Sequence, residues 1–142
     1  MTDPSHILTP LNMEALGPLM QDLFPVGEVR DHRFVHGGYM GQNFRIDTST
    51  GVFFLKQYRN RINTIIHEIK AAEAYFGEQG LPIILPIKDR YGREAFWLDG
   101  NWYSLFPFID GRSPTYGEMT VLQMTSLANT LAQFHHAGMQ FP

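Results

Sequence analysis

Apolar and polar positions along the chain follow two rhythms. Residues 10–24 carry Leu16, Leu19, Met20, Leu23 and Phe24 at helical spacing, and Pro25 and Gly27 stop the pattern. Gly17-Pro18 in its middle predicts a kink or a division of that helix. From residue 29 the rhythm shortens. "VRDHRFVH" (29–36) reads as a strand, "GGYMGQ" as a turn with three glycines, and "NFRIDT" (43–48) as a second strand. Ser49-Thr50-Gly51 connects it tightly to a third strand, 52–58, and short strands on short turns predict an antiparallel meander.

A helix follows over about 61–77, with Ile62, Ile65, Ile66, Ile69, Ala72 and Phe76 on one arc. Gly77, Gly80 and Pro82 end it. "IILPIKD" (83–89) reads as a strand, Pro86 pointing to an edge or a bulge. "REAFWLD" and "NWYSLFPFI" frame Asp99-Gly100, a strong hairpin signal. A Gly/Pro-rich linker, 110–118, leads to a last helix from about Thr120 to Ala137, with Met124, Leu127, Leu131 and Phe134 on one face and Gly138 as its C-cap. The class is α+β: an antiparallel five-stranded sheet with one long packed helix, plus N-terminal and C-terminal helices.

Composition narrows the function. The 142 residues fit one domain, and 44% apolar with 18% charged residues supports a real core. A formal charge of -3 gives no basic excess for nucleic acid or an anionic membrane, so neither is expected as a partner. The absence of cysteine excludes disulfides, thiolate zinc sites and thiol redox chemistry. No signal-peptide pattern opens the sequence and no apolar run approaches the roughly 20 residues of a membrane span, so the expected setting is cytoplasmic. His135 and His136 are adjacent on a helix and cannot share a metal as an i, i+4 pair would; Ser104 and Ser113 have no evident base.

The chemistry centres on "GVFFLKQYRN" (51–60). Strand alternation puts Val52, Phe54, Lys56 and Tyr58 on one face and Phe53, Leu55 and Gln57 on the other. A lysine among apolar face-mates needs a partner, because a buried unpaired charge is costly. Behind a glycine turn it can meet a phosphate as a point charge, while a carboxylate from the next helix fixes its rotamer; kinases combine these parts in this order. The alternative for Lys56 is a stem lying along the surface with its head in water.

"GGYMGQNFRIDTSTGVFFLKQYRN", "HEIKAAEAYFGEQGLPIILPI", "YSLFPFIDGRS" and "LANTLAQFHHAG" together resemble the nucleotide-binding lobe of the aminoglycoside phosphotransferase and choline kinase family, over about residues 29–138. Homoserine kinases and some bacterial protein kinases share the pattern. The resemblance implies that Gly37, Gly38 and Gly41 form the loop over the ATP phosphates, although they do not make a full G-x-G-x-x-G and also suit an ordinary hairpin turn. It implies that Lys56 pairs with the α- and β-phosphates. Glu68 matches the family's acidic position, while Glu73 lies nearer the centre of the apolar arc. "LFPFI" would be the adenine hinge, with Phe106 at the gate, Pro107 offering its carbonyl and Ile109 its N–H; proline is tolerable where only an acceptor is needed.

The resemblance further implies ATP and Mg²⁺ as cofactors, with the Mg²⁺ ligands and the catalytic carboxylate in a second lobe, in a histidine-x-aspartate loop that this sequence does not contain. The expected organisation is an N-terminal helical segment (1–28), a nucleotide-binding lobe (29–109) and a linker and helix (110–142) leading to that lobe. The expected function is the ATP-binding part of a phosphotransferase acting on a hydroxyl of a small molecule such as an aminoglycoside, choline or homoserine, with the chain by itself catalytically incomplete. A non-catalytic nucleotide- or protein-binding module and a plain structural domain are the alternatives. The apolar face of the last helix is expected to fold back on the sheet or to pair with a second copy as a homo-oligomer.

Overall fold

The computed structural model describes residues 11–36, 41–58 and 65–142. Two compact units divide them: the described residues before Ile65 with Pro86–Phe108, and Ile65–Leu85 with Ile109–Pro142.

The first unit is a sheet with a helix on one face. Helix α1 spans Met13–Leu23, strands β1 Val29–Val35, β2 Gly41–Thr48 and β3 Val52–Tyr58, then β4 Phe96–Leu98 and β5 Asn101–Pro107. The order is β1-β2-β3-β5-β4, and every described pairing is antiparallel. The side chain of Asn12 caps α1 by accepting from the Ala15 amide. Leu16, Met20 and Leu23 of α1 pack with Phe24 and Val26 on the alternate residues Phe44, Ile46, Leu55, Phe96, Tyr103 and Leu105 of the sheet. On this covered face Gln57 Nε2 donates to the Tyr103 hydroxyl at 2.8 Å. Burial pushes the Tyr103 phenol up, partly offset by that bond from Gln57.

Turn chemistry sets the register. The Thr48 hydroxyl accepts from the amides of Thr50 and Gly51, and the Thr50 hydroxyl donates to the Val26 carbonyl at 2.6 Å, tying the β2–β3 turn to the α1–β1 connection. Asp99 and Gly100 both have positive φ, 48° and 81°, as the expected two-residue hairpin requires. Strand β1 is an edge: Arg30, Asp31, His32, Arg33 and Phe34 are exposed, and its register with β2 shifts between Val29 and Asp31.

Three expectations need correction. Helix α1 is not divided at Gly17-Pro18 but runs through Pro18 as one helix. Glycine lacks the Cβ that pushes a pre-proline residue out of the helical region, and burial of Leu16, Met20 and Leu23 offsets the lost hydrogen bond. Residues 83–89 form no strand. Ile87 donates to the Leu105 carbonyl, but Pro86 beside it has no N–H, and Asp89 turns the chain. Gly138 is the last residue of the final helix, not a left-handed cap; Met139 follows in helical conformation.

That turn is built around Asp89. Its carboxylate accepts from the amides of Tyr91 and Arg93, both at 2.9 Å, and from Arg93 Nε at 2.7 Å. Gly92 turns at φ 77°. Arg90 fastens the loop to the end of α1, its amide donating to the Leu23 carbonyl and its guanidinium reaching Asp22 at 2.9 Å.

The second unit pairs α2 (Ile66–Glu78) with α3 (Val121–Gly138). Thr120 and Gln123 close a capping box at the start of α3. Phe76 meets Phe134 edge-on at 5.3 Å, and the Tyr75 hydroxyl donates to the Ala137 carbonyl. Residues 61–64 of the expected helix lie outside the described residues.

Candidate functional site

The sheet face away from α1 carries Lys56. Pairing places it between Asn43 on β2 and Ser104 on β5. The rank beside it reads Arg45, Phe54, Phe106 from β2 to β5. Sequence alternation placed Lys56, Phe54 and Tyr58 on one face, and the register puts them there. Lys56 is half-buried, and its Nζ lies over the Tyr58 ring, 5.1 Å from the centroid. Tyr58 is itself 1% exposed, so the ammonium rests on a fixed aromatic surface. The stem is held along the sheet, which limits the arc the charge can sweep.

Gly41 opens β2 opposite Tyr58. A Cβ there would run into the backbone carbonyl oxygen of Gln57, so the close approach of β2 and β3 by itself requires glycine. Gly37 and Gly38 lie outside the described residues. Phe106 is buried on β5 and meets the Phe54 ring edge-on at 6.4 Å. Pro107 is the last residue of β5, opposite Phe53, and is exposed; Ile109, beyond the strand, is 60% exposed.

Both candidate carboxylates sit on α2. Glu68 is exposed in its first turn. Glu73 accepts from the buried Lys70 at 2.7 Å, so one of the two already carries an ion pair within its own helix. Ser104 is fully buried and donates to the Glu94 carbonyl at 2.8 Å, which is a structural use. Among the described residues no group of three His, Asp or Glu could hold a metal ion, so none of them is assigned to Mg²⁺.

Sequence reasoning did not single out Arg45 and Phe108. Arg45 Nη2 and Nε donate to Asp47 at 2.9 and 3.2 Å, and its guanidinium lies 5.0 Å from the centre of the Phe108 ring. The only available signal was Arg-x-Asp on a strand, which fixes no long-range partner. The stripe Met124, Leu127 and Leu131 of α3 remains 50%, 58% and 53% exposed, while Phe134 is covered by Phe76. No helix of the described residues is long and apolar enough to cross a membrane.

Comparison with known proteins bears out the resemblance read from the sequence. No protein-family model matches the chain. Homoserine kinase from Rhodopseudomonas palustris (strain TIE-1) is 25% identical over 119 residues, 83% of this chain and 36% of the relative. Homoserine kinase from Methylorubrum populi is 26% identical over 137 residues, 96% of this chain and 42% of the relative. The chain thus spans well under half the length of the curated relatives it matches. Among solved structures, spectinomycin phosphotransferase in complex with ADP and spectinomycin superposes with a TM-score of 0.74 at 20% identity, over 91% of this chain and 39% of that one. Amicoumacin kinase in complex with AMP-PNP, Ca²⁺ and Ami gives 0.73 at 12% identity, over 93% and 41%. The five-stranded antiparallel sheet with its helices matches the fold of the kinase-like N-terminal lobe in these structures.

Proposed function

We propose that this chain supplies the nucleotide-binding lobe of an ATP-dependent phosphotransferase whose acceptor is a hydroxyl of a small molecule, in the class of homoserine, choline or an aminoglycoside. The observation that carries the reading is the position of Lys56. It stands mid-sheet on the face α1 leaves uncovered, its ammonium over Tyr58 and an aromatic pair, Phe54 and Phe106, one rank away. A cation beside a ring surface is what a nucleotide needs, phosphates at one end and base at the other.

Bound ATP would supply the transferable phosphoryl group. Lys56 would hold the phosphates, the Phe54 and Phe106 rings would take the base, and Pro107 would offer a carbonyl to its amine. Gly37, Gly38 and Gly41 would bring backbone amides over the phosphates, with Glu68 or Glu73 as the carboxylate that fixes the lysine. Homoserine-kinase relatives and two antibiotic kinases of the same fold support the reaction class.

The test is thermal unfolding with and without Mg-ATP, for wild type and Lys56→Ala. Ligand at a hundred times its dissociation constant stabilises by about 2.7 kcal/mol. For a chain of this size that is a rise of roughly 5–10 °C in Tm. The rise should vanish in Lys56→Ala. An equal rise in both proteins, or none in either, overturns the proposal.

A further inference from the structure

The covered face of the sheet carries one polar rank. Gln42 on β2 lies opposite Gln57 on β3, Gln57 opposite Tyr103 on β5, and Tyr103 opposite Phe96 on β4. The two ranks beyond it, Phe44–Leu55–Leu105 and Ile46–Phe53–Pro107, are apolar throughout. Gln42 and Gln57 are each 5% exposed and Tyr103 3%. The Tyr103 ring stacks on Phe96, with centroids 5.6 Å apart and planes 17° from parallel, which fixes where its hydroxyl points. Gln57 Nε2 donates to that hydroxyl at 2.8 Å. A buried amide or phenol is costly once its partner is taken away, so this bond discriminates between arrangements of the strands.

Apolar alternation alone does not fix how β3 pairs with β5. It forbids a slip of one residue, which would turn every side chain to the wrong face, but not a slip of two. Slipped by two, Leu55 would face Tyr103 or Pro107, each still a partner for an apolar side chain. Gln57 would face Asn101 or Leu105, and its bond to Tyr103 would be lost. Lys56 is the neighbouring residue on the open face, so the same slip would carry it from Ser104 to Trp102 or Phe106. Resting on the phosphate-binding reading of Lys56, we propose that Gln57 and Tyr103 are positioning residues. Their buried bond selects the β3–β5 register and, through it, the place of the lysine ammonium. A polar pair in this role specifies an arrangement rather than adding stability, and apolar residues of similar volume in its place leave stability equal or higher.

Cross-strand nuclear Overhauser contacts and Mg-ATP calorimetry on the full chain test this, with wild type and the double variant Gln57→Leu/Tyr103→Phe. Wild type should show one set of contacts, Lys56 to Ser104. The double variant should keep or exceed the wild-type Tm yet add a second set, Lys56 to Trp102 or Phe106. Its Mg-ATP affinity should fall about twofold or more, by the inverse of the fraction of molecules left in the native register. Tyr103→Phe alone, which keeps the ring and removes the acceptor, should add the same second set and carries the test if the double variant does not fold. A single Lys56–Ser104 set in the folded variants overturns the proposal, as does a second register with Mg-ATP affinity unchanged. Failure of wild type to bind Mg-ATP overturns the phosphate reading of Lys56, while the Overhauser contacts still decide whether Gln57 and Tyr103 select the register.

Discussion

Replacing Asp89 tests how the first unit is held together. Its side chain is 1% exposed and receives three hydrogen bonds, two from backbone amides and one from the Arg93 guanidinium. Bonds to a charged group contribute about 1.5–3 kcal/mol each. Arg93 is 54% exposed and Tyr91 is exposed as well, so the stranded donors regain water in part. Asp89→Ala should therefore cost about 2–4 kcal/mol, below the sum of three bonds. Asp89→Asn, which keeps an acceptor oxygen but no charge, should cost about half that. Burial alone would raise the Asp89 pKa; the bonds from Arg93 and Tyr91 outweigh it and hold the carboxyl below its usual 3.8. A depressed acid stabilises the fold fully above its unfolded value, near 3.9, and loses that contribution as pH falls through the folded value. Urea unfolding at pH 7, 5 and 3 is the assay. The gap between wild type and Asp89→Asn should be equal at pH 7 and 5 and shrink at pH 3. A loss under 0.5 kcal/mol in Asp89→Ala, or a gap that widens with acid, refutes the reasoning.

Three further outcomes follow from the packing. Gly41→Ala should destabilise by about 1–3 kcal/mol, read as a lower Tm, because its Cβ meets a fixed backbone oxygen of β3. Leu55→Ala, at a fully buried position in the core, should cost about 2–5 kcal/mol in chemical denaturation. Pro18→Ala should raise stability by about 1–2 kcal/mol, since the restored amide can bond within α1 and position 18 is exposed; a lower Tm would contradict the account of that helix.

The elements most legible in the sequence were those whose cause is local. Asp99-Gly100 needed only its own backbone preference to declare a hairpin, and alternation from Val52 to Tyr58 was enough to put Lys56 and Leu55 on opposite faces. Residues 83–89 misled because an apolar run shows that a segment is partly buried, not that its amides find a ladder; Pro86 and the Asp89 turn decided that. Pro18 misled for the reverse reason, a local penalty outweighed by the burial of Leu16 and Met20. Arg45 and Phe108 are 63 residues apart and meet only through the β2-β3-β5 order, which no local pattern encodes. The choice between Glu68 and Glu73 also exceeded the sequence, since nothing there announces that Lys70 is buried against Glu73.

The two margins of the sheet explain why it stops at five strands. One border, β4, has only three residues, too short a template for an incoming chain to grip. The opposite border is longer, but it is bent by its offset pairing and lined with arginine, aspartate and histidine. A newcomer would have to strip water from those groups and match a curved track. The architecture thereby resists stacking into fibres at both ends.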